Sequence, residues 1–432
     1  MPSDLSEFIQ TISIHNTHEH LWKESSFITG KPDVLSLLFS CYLVGDLTTA
    51  GASQDAMYAL GATTNPDILS RFNGIKDAWE HCKHTGYGET PQWVAKRYFG
   101  IEDISAESIA AAQEKLPELW DKGYLYKLLK EDANYDHVQI DDFCFACHPD
   151  PAGPDFFLYD IAWASLIKGD IDLGSLYEES GIEITDLESY RETMSAIFDT
   201  YADCAIAVKS LHAYQRTLIW EERSDEDAAK VLEKKIAGTA LSEDEMLCLG
   251  DWAFARGVEL SIKHNLPFKI HTGHYSGNNH LQIKRVRAGH LCPLLMAYPE
   301  ARFILMHISY PYDDEILSIA KHFPNVWVDM CWAWSINPQV SAQFLRSFIH
   351  SVPINKLFGF GGDVFDPFTS VAFSHQTRKW LNWALQQEVD ENLLTETEAI
   401  HIVQRILQDN QKHCFDLEGT RTAIQTKLNN AN

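Results

Sequence analysis

Two histidines that flank one acidic residue near the N-terminus are the first candidates for chemistry in this chain. His18 and His20 stand at the end of a short run that predicts a strand, on either side of Glu19. In an extended strand, residues i and i+2 point to the same face, so both imidazoles could bind one metal ion. An isolated H-x-H motif is a weak signal, because a histidine at a strand end more often packs or faces solvent.

Four further residues of catalytic or metal-binding type each follow a short apolar run. They are Lys209, His271, His307 and Asp363. Taken singly, Lys209 could be a surface residue and Asp363 a turn or N-cap residue. Imidazoles and carboxylates are ligands of Zn²⁺ and its first-row neighbours. Because all of these residues end apolar runs, the joint pattern predicts one metal centre.

The elements that must position these residues are strands that alternate with helices. The predicted strands are Thr11–Thr17, His137–Asp142, Phe156–Trp163, Cys204–Lys209, Pro267–His271, Arg302–His307, Val326–Met330 and Lys356–Phe360. Helical patterns lie between the later ones, and Asn337-Pro338 is a typical helix start. Eight alternating strands predict an α/β fold, a closed (β/α)8 TIM barrel. The C-terminal ends of its strands converge on one face, where active sites lie.

We predict that residues 1–432 form a single barrel domain, because barrels with insertions reach this length. Residues 22–131 contain helical patterns but no convincing strand. We interpret them as a helical insertion after the first strand, and the aromatics around Gly86-Tyr87-Gly88 suggest a lid over the barrel mouth. A second, acidic insertion at about 171–200 is expected to be peripheral.

The composition narrows the classes of partner. The net charge of −26 argues against nucleic acid and against an anionic membrane surface, so the expected partner is a small-molecule substrate. No window has the length and apolarity of a membrane helix, and the first residues lack a basic leader, so we expect a cytoplasmic protein. Its nine scattered cysteines suit reduced thiols there. The protein could also form a homo-oligomer.

One cysteine motif has a competing interpretation. Cys144-Phe145-Ala146-Cys147-His148 matches the attachment pattern of c-type haem, and C-x-x-C can also be half of a zinc site. Haem attachment of this kind requires export, and a second C-x-x-C that could complete a zinc site is missing from the sequence. We therefore expect a strand end whose small thiols pack inward.

The ordered set of candidate residues resembles that of the amidohydrolase superfamily, and the resemblance covers most of the chain. That superfamily of (β/α)8 metal-dependent hydrolases has H-x-H after strand one, Lys or Glu after strand four, His after strands five and six, and Asp after strand eight. The matching residues here are His18, His20, Lys209, His271, His307 and Asp363. The resemblance implies a divalent metal, with zinc the first choice and Mn²⁺ or Fe²⁺ open. In the binuclear branch, the lysine is carboxylated by CO2 and bridges two ions.

The resemblance predicts a metal-dependent hydrolase that cleaves an amide, ester or lactone bond of a small, anionic substrate. Asp363 would take a proton from the attacking water and pass it to the leaving group, and His307 or a metal would polarise the carbonyl oxygen. If one ion binds, His18, His20, His271 and Asp363 could hold it, with Lys209 a plain amine. Candidate substrate-binding residues are Arg216, His274 and Trp334, with Arg285 and Arg287 as further cations. Asp366 is interpreted as a turn residue.

Other functions remain open at this stage. The long insertion and the Trp-rich segment 327–334 resemble the uronate isomerases, which belong with decarboxylases to the amidohydrolase-related group. A uronate-type isomerase, a non-oxidative decarboxylase and a barrel without turnover are therefore alternatives. Lys209 favours the hydrolase, because neither single-metal alternative requires a bridging carboxylate.

Overall fold

The centre of the protein is one parallel sheet of eight strands. A computed structural model describes residues 4–431. The strands are β1 (Ile14–Glu19), β2 (Tyr135–Ile140), β3 (Phe157–Ala162), β4 (Ala205–Ser210), β5 (Phe268–Ile270), β6 (Phe303–Met306), β7 (Val326–Asp329) and β8 (Leu357–Phe358). Each pairs with the next in chain order. Backbone bonds from Thr17 N to Phe360 O (3.1 Å) and from Asp363 N to His18 O (3.0 Å) bring the last strand back to the first. The predicted TIM barrel is confirmed, and each predicted strand overlaps an observed one.

Helices fill the segment between β1 and β2. After α1 (Asp4–Thr11), which precedes β1, come α2 (Glu24–Gly30), α3 (Val34–Leu38), α4 (Leu43–Thr49), α5 (Gln54–Gly61), α6 (Ile68–Cys82), α7 (Glu89–Val94), α8 (Ala106–Ala112) and α9 (Tyr124–Lys127). Wide π-helical turns at Ala95–Phe99 and Leu128–Asp132 and a tight 3-10 stretch at Gln113–Trp120 extend α7, α9 and α8 respectively. The segment meets the barrel mouth where the Asn278 side chain donates to Gly45 O, at 3.2 Å.

The remaining helices follow the strands and cover the barrel. They are α10 (Ala164–Ile167), α11 (Leu173–Ser180), α12 (Leu187–Tyr201), α13 (Asp225–Ile236), α14 (Glu243–Lys263), α15 (Cys292–Ala297), α16 (Asp313–His322), α17 (Ala333–Ile336), α18 (Pro338–Ser351), α19 (Pro367–Asp390), α20 (Glu396–Gln404), α21 (Asn410–Cys414) and α22 (Leu417–Ala431). Among residues 4–431, no helix combines the length and the apolarity that crossing a membrane requires.

Local sequence explains where several of these helices begin. The Asn337 side chain accepts from Val340 N, and Pro338 occupies the first turn, so the predicted start of α18 is confirmed. Asp366 caps α19 by accepting from Thr369 N at 2.9 Å, which confirms it as a structural residue. In the Cys144–His148 motif, Cys147 is buried as expected. Cys144 is exposed, because the chain has already left β2 and runs as a loop there.

The barrel interior contains a buried charged pair beneath the strand ends. Lys269 of β5 donates to both carboxylate oxygens of Asp160 at 2.9 and 2.8 Å, and to Thr17 O at 2.8 Å. Both side chains are fully buried. A buried ion pair persists only when its remaining hydrogen-bonding capacity is satisfied, and the extra bond to Thr17 supplies part of this. The pair forms a polar floor below the residues at the C-terminal ends of the strands.

Candidate metal centre

The first donor set joins β1 to the turn that follows β8. Asp363 Oδ1 lies 2.9 Å from His18 Nε2 and 3.2 Å from His20 Nε2. Asp363 has a left-handed backbone with a φ of 60°, and it follows Gly361 and Gly362. A Cβ on Gly362 would lie 2.2 Å from a carboxylate oxygen of Glu19. The two glycines therefore allow the tight approach that brings the carboxylate to the histidines.

The second donor set joins β5 and β6 to the same aspartate. His307 Nε2 lies 3.0 Å from His271 Nδ1 and 3.8 Å from Asp363 Oδ2. The far nitrogen of each ring meets a backbone carbonyl: His307 Nδ1 lies 2.9 Å from Cys331 O, and His271 Nε2 lies 2.9 Å from His274 O. These carbonyls fix the orientation of both rings.

The chemistry of the second set fits a metal ion. Burial lowers the pKa of His307 to about 4. Burial and the neighbouring His307 hold the pKa of His271 well below its usual value. Both rings are therefore neutral at neutral pH, and each uses its single N–H on a carbonyl. The two nitrogens that face each other at 3.0 Å then both present lone pairs. These lone pairs repel each other, and a cation bound between them would remove that repulsion.

The charges of the first set keep Asp363 ionised. Burial alone would raise the pKa of Asp363, but hydrogen bonds from His18 and His20 hold it well below its ordinary value. Burial, together with the charge of Lys209, lowers the pKa of His18. Burial would also lower the pKa of His20, but the bond to Asp363 and the charges of Asp363 and Asp141 together raise it. The carboxylate is thus available as a ligand and as a proton acceptor.

Lys209, at the end of β4, lies beside both donor sets. Its Nζ is 2.8 Å from His18 Nε2, and the side chain is buried. Burial is the largest effect that lowers the pKa of His271 and of His307, and the charge of Lys209 lowers both further. The structure therefore brings together all six residues predicted as ligands: His18, His20, Lys209, His271, His307 and Asp363.

The prediction that Arg216 binds substrate is not supported. Its guanidinium donates to Asp251 of α14 at 2.6 Å and to the backbone carbonyls of Ile167 and Ile219. Arg216 and Asp251 are both buried. The guanidinium is thus engaged by Asp251 and two backbone carbonyls and is not presented to the donor sets.

Trp334 also has a structural position, whereas its neighbour Trp332 contacts the centre. The Trp334 indole N–H donates to Gly359 O at 2.9 Å inside the core. The ring of Trp332 lies 5.4 Å from that of His307 and 4.2 Å from that of Tyr42. Trp332 is buried, its Nε1 has no hydrogen-bond partner among the described residues, and its φ is 60°. Its strained backbone and unpaired donor are typical of a functional position.

A cleft of about 320 Å³ opens above the donor sets. We call it the mouth cleft, and its lining includes Tyr42, Asp46, Tyr87, His274, Asn278 and Phe365. His274, which the sequence predicts as a substrate-binding residue, is part of this lining. The Tyr42 hydroxyl donates to the Asp363 backbone carbonyl, so one residue of the cleft lining contacts the first donor set. On the other side, the Phe143 ring stacks on His20 at 4.5 Å.

The sequence motifs did not point to Tyr42 or Phe143. Both belong to connecting segments rather than to strand ends, so the pattern of ligand-type residues after apolar runs could not find them. The only available signal was the density of aromatics in the helical insertion, which includes Tyr87 in the same cleft.

The family assignment agrees with this geometry. A family model described as Amidohydrolase matches residues 193–413, a range that holds Lys209, His271, His307 and Asp363. The chain belongs to the amidohydrolase family. Membership in this family indicates an enzyme, and together with the donor sets it implies a divalent metal.

Individual relatives cover different parts of the chain. Protein fluG of Emericella nidulans is 28% identical over 248 residues, which are 53% of this chain and 28% of that protein. The match thus spans little more than a quarter of the relative's length. A uronate isomerase from Thermotoga maritima has a TM-score of 0.78 at 17% identity, over 95% of this chain and 96% of its own. A glucuronate isomerase from Caulobacter crescentus has a TM-score of 0.74 at 17% identity, over 96% and 95%. These likenesses establish the fold.

Proposed function

We propose that the protein is a metal-dependent hydrolase that cleaves an amide, ester or lactone bond of a small molecule. The observation that carries this proposal is the position of Lys209 beside two donor sets that share Asp363. A bridging carboxylate on Lys209 would complete a two-metal site, and a single-metal enzyme would not need it. Family membership supports the general class of the enzyme.

The residues divide naturally between two ions, with zinc the first choice for these ligands. His18, His20 and Asp363 would hold one, His271 and His307 would hold the other, and carboxylated Lys209 would serve both. When bound, the metal supplies an activated water at neutral pH and polarises a carbonyl group.

The protein's own residues would position the reacting groups and move the proton. Asp363 is held ionised by His18 and His20, so it can accept a proton from water and return it to the leaving group. The Tyr42 hydroxyl fixes the Asp363 backbone. Phe143 and Phe365 stack on His20 and limit the access of water on that side. We also propose that residues 22–131 act as a lid, and that the enzyme works on its substrate in the cytoplasm.

A second candidate is a uronate-type isomerase, which the fold likeness over nearly the whole chain favours. Recognition of a uronate carboxylate would call for a cation near the donor sets. The candidate arginines are engaged elsewhere: Arg216 with Asp251, Arg285 with Glu243, and Arg287 with Glu315. This observation weighs against the isomerase.

The metal content of the purified protein tests the two-metal site. Protein produced with added Zn²⁺ and bicarbonate is expected to hold two ions per chain by elemental analysis. Lys209→Ala should lower that number, and Lys76→Ala, at an exposed position of α6, should leave it unchanged. One ion per chain that is indifferent to Lys209→Ala would contradict the two-metal site.

The reaction type is tested by product mass. In H2¹⁸O, hydrolysis of amides, esters or lactones should place one solvent oxygen in the acid product. A product of unchanged mass would identify an isomerase, and released CO2 would identify a decarboxylase. Asp363→Asn should lower kcat at least about 100-fold, because it removes the group that moves the proton.

A further inference from the structure

The mouth cleft has the size of a small-molecule site and an unusual balance of charge. Its volume of about 320 Å³ lies in the range of such sites. None of the described residues that line it is a Lys or an Arg, and Asp46 of α4 supplies a carboxylate. An anionic substrate would enter this cleft without a cationic partner, in a protein whose net charge is −26.

Asp46 is a partly buried carboxylate without a cationic partner. The Thr85 hydroxyl donates to it at 2.6 Å. Burial raises the pKa of Asp46 in spite of this bond. Within residues 4–431, burial and the bond from Thr85 are the effects that act on the pKa of Asp46, and no Lys or Arg charge is among them. A carboxylate that loses hydration without gaining a counter-charge is costly, and a cation bound in the cleft would offset that cost.

Two tyrosine rings line the mouth cleft together with Asp46. The ring centroids of Tyr42 and Tyr87 lie 5.5 Å apart, and both rings lie near Trp332, at 4.2 and 6.3 Å. The three rings pack against one another and Trp332 is buried, so Tyr42 and Tyr87 are the two of them that line the cleft. The faces of tyrosine rings attract ammonium groups. The Tyr42 hydroxyl also contacts the Asp363 backbone, so a group held by these rings lies next to the centre.

We infer that the mouth cleft binds a substrate with an ammonium group close to the bond that is cleaved. Asp46 supplies the counter-charge, and Tyr42 and Tyr87 supply the aromatic surface. This inference rests on the proposed hydrolase function and reverses the expectation of an anionic substrate. The arginines that expectation relied on are paired with acidic residues outside the cleft.

A matched substrate series tests the inference on the metal-loaded enzyme. Three 4-nitroanilides would carry a trimethylammonium, a neutral tert-butyl or a carboxylate group at one fixed distance from the amide. Trimethylammonium and tert-butyl have nearly the same shape, so their comparison isolates the charge. The ammonium compound is expected to have a kcat/KM about tenfold above that of the tert-butyl compound. Asp46→Asn should bring that ratio close to one.

A binding measurement provides a readout that does not depend on turnover. Tetramethylammonium chloride, titrated by calorimetry at constant ionic strength, should bind the parent about tenfold more tightly than Asp46→Asn. Asp77→Asn, at an exposed position of α6, removes one charge from the same helical insertion and should bind like the parent. Melting temperatures of all three proteins check that the variants are folded.

The outcomes separate the inference from the proposed function. Saturable tetramethylammonium binding that depends on Asp46, without cleavage of any anilide, ester or lactone, would support the ligand class and contradict the hydrolase. Cleavage with a preference for the carboxylate or tert-butyl compound would support the hydrolase and overturn the ligand class. Absence of tetramethylammonium binding to the parent, or equal binding by Asp46→Asn, would also overturn it.

Discussion

His307 Nε2 lies 3.0 Å from His271 Nδ1, and neither nitrogen has a proton to give the other. Each ring places its N–H on a backbone carbonyl, that of Cys331 or that of His274. Two buried lone pairs at this distance form a preorganised half of a metal site, because the protein has already oriented both ligands. The carbonyl partners come from the segments after β7 and β5, so the barrel fold itself fixes the two tautomers.

This relationship predicts the effect of removing either ring on metal content. His271→Ala and His307→Ala should each lower the metal content of the protein from two ions per chain to one, because the second donor set loses a ligand. His274→Ala provides a matched control, since its side chain lines the mouth cleft and only its backbone carbonyl contacts His271. Elemental analysis after gel filtration measures all three, and a full loss of metal in the control would contradict the assignment.

Two neighbouring tryptophans should respond differently to the same substitution. Trp332 and Trp334 are equally buried, but among the described residues only the Trp334 N–H finds a hydrogen-bond partner. Trp334→Phe should lower the free energy of unfolding by about 1 kcal/mol more than Trp332→Phe does, because a hydrogen bond to Gly359 is lost. Trp332→Phe should instead lower kcat/KM, about tenfold, because its ring contacts His307 and Tyr42.

Urea unfolding and steady-state kinetics on both tryptophan variants check this contrast. Equal losses of stability, or a larger loss of activity in Trp334→Phe, would show that the two side chains do not have the roles that their contacts indicate.

The strands and the ligand set were predictable because both depend on short, local sequence patterns. Each strand is a short apolar run, and each ligand stands at the end of one, so the barrel topology alone brings residues as distant as His18 and Asp363 together. The direction of side chains beyond a strand end was not predictable. Trp332 and Trp334 are two residues apart and would share a face in a strand, but the left-handed backbone at Trp332 ends that alternation.

The contacts between the helical insertion and the site could not be predicted from local sequence patterns either. Tyr42 reaches Asp363 across 321 positions of sequence, and it does so from a helical insertion whose packing on the barrel no periodicity encodes. The ion pair of Arg216 was unpredictable for a similar reason. Its partner Asp251 lies on α14, 35 residues along the chain, and only the packed helix shows that the ion pair is buried.

The buried position of Arg216 predicts that its substitution affects stability and not substrate binding. Arg216→Met leaves the buried Asp251 carboxylate without its closest partner and should cost about 3 kcal/mol of unfolding free energy. Arg285→Met is the control, because its pair with Glu243 is exposed and should contribute less than about 1 kcal/mol. Thermal or urea unfolding measures the loss of unfolding free energy in both variants. A large rise in KM without loss of stability would restore Arg216 as a substrate ligand.

Asp329 predicts a specific pH dependence of stability. Burial raises the pKa of this carboxyl to about 6, although hydrogen bonds from Thr17 (2.6 Å) and Cys331 N (2.9 Å) oppose the shift. The folded state therefore holds the proton more tightly than the unfolded state does. This contribution to stability is complete below pH 4 and is lost as the pH rises from about 4 to about 6.

Asp329→Asn should remove this dependence, because the amide is neutral at every pH. Its carbonyl oxygen can still accept from Cys331 N, and its NH2 can donate to the Thr17 hydroxyl, which is also within reach of Phe360 O at 2.9 Å. Relative to the parent, the metal-free variant should gain about 2–3 kcal/mol of unfolding free energy between pH 4 and pH 7. Urea unfolding across this range measures the gain, with Asp77→Asn providing the background slope. A constant difference between parent and Asp329→Asn would mean that the carboxyl is already ionised at pH 4, and that its hydrogen bonds and the charges of Lys269 and Lys209 offset its burial.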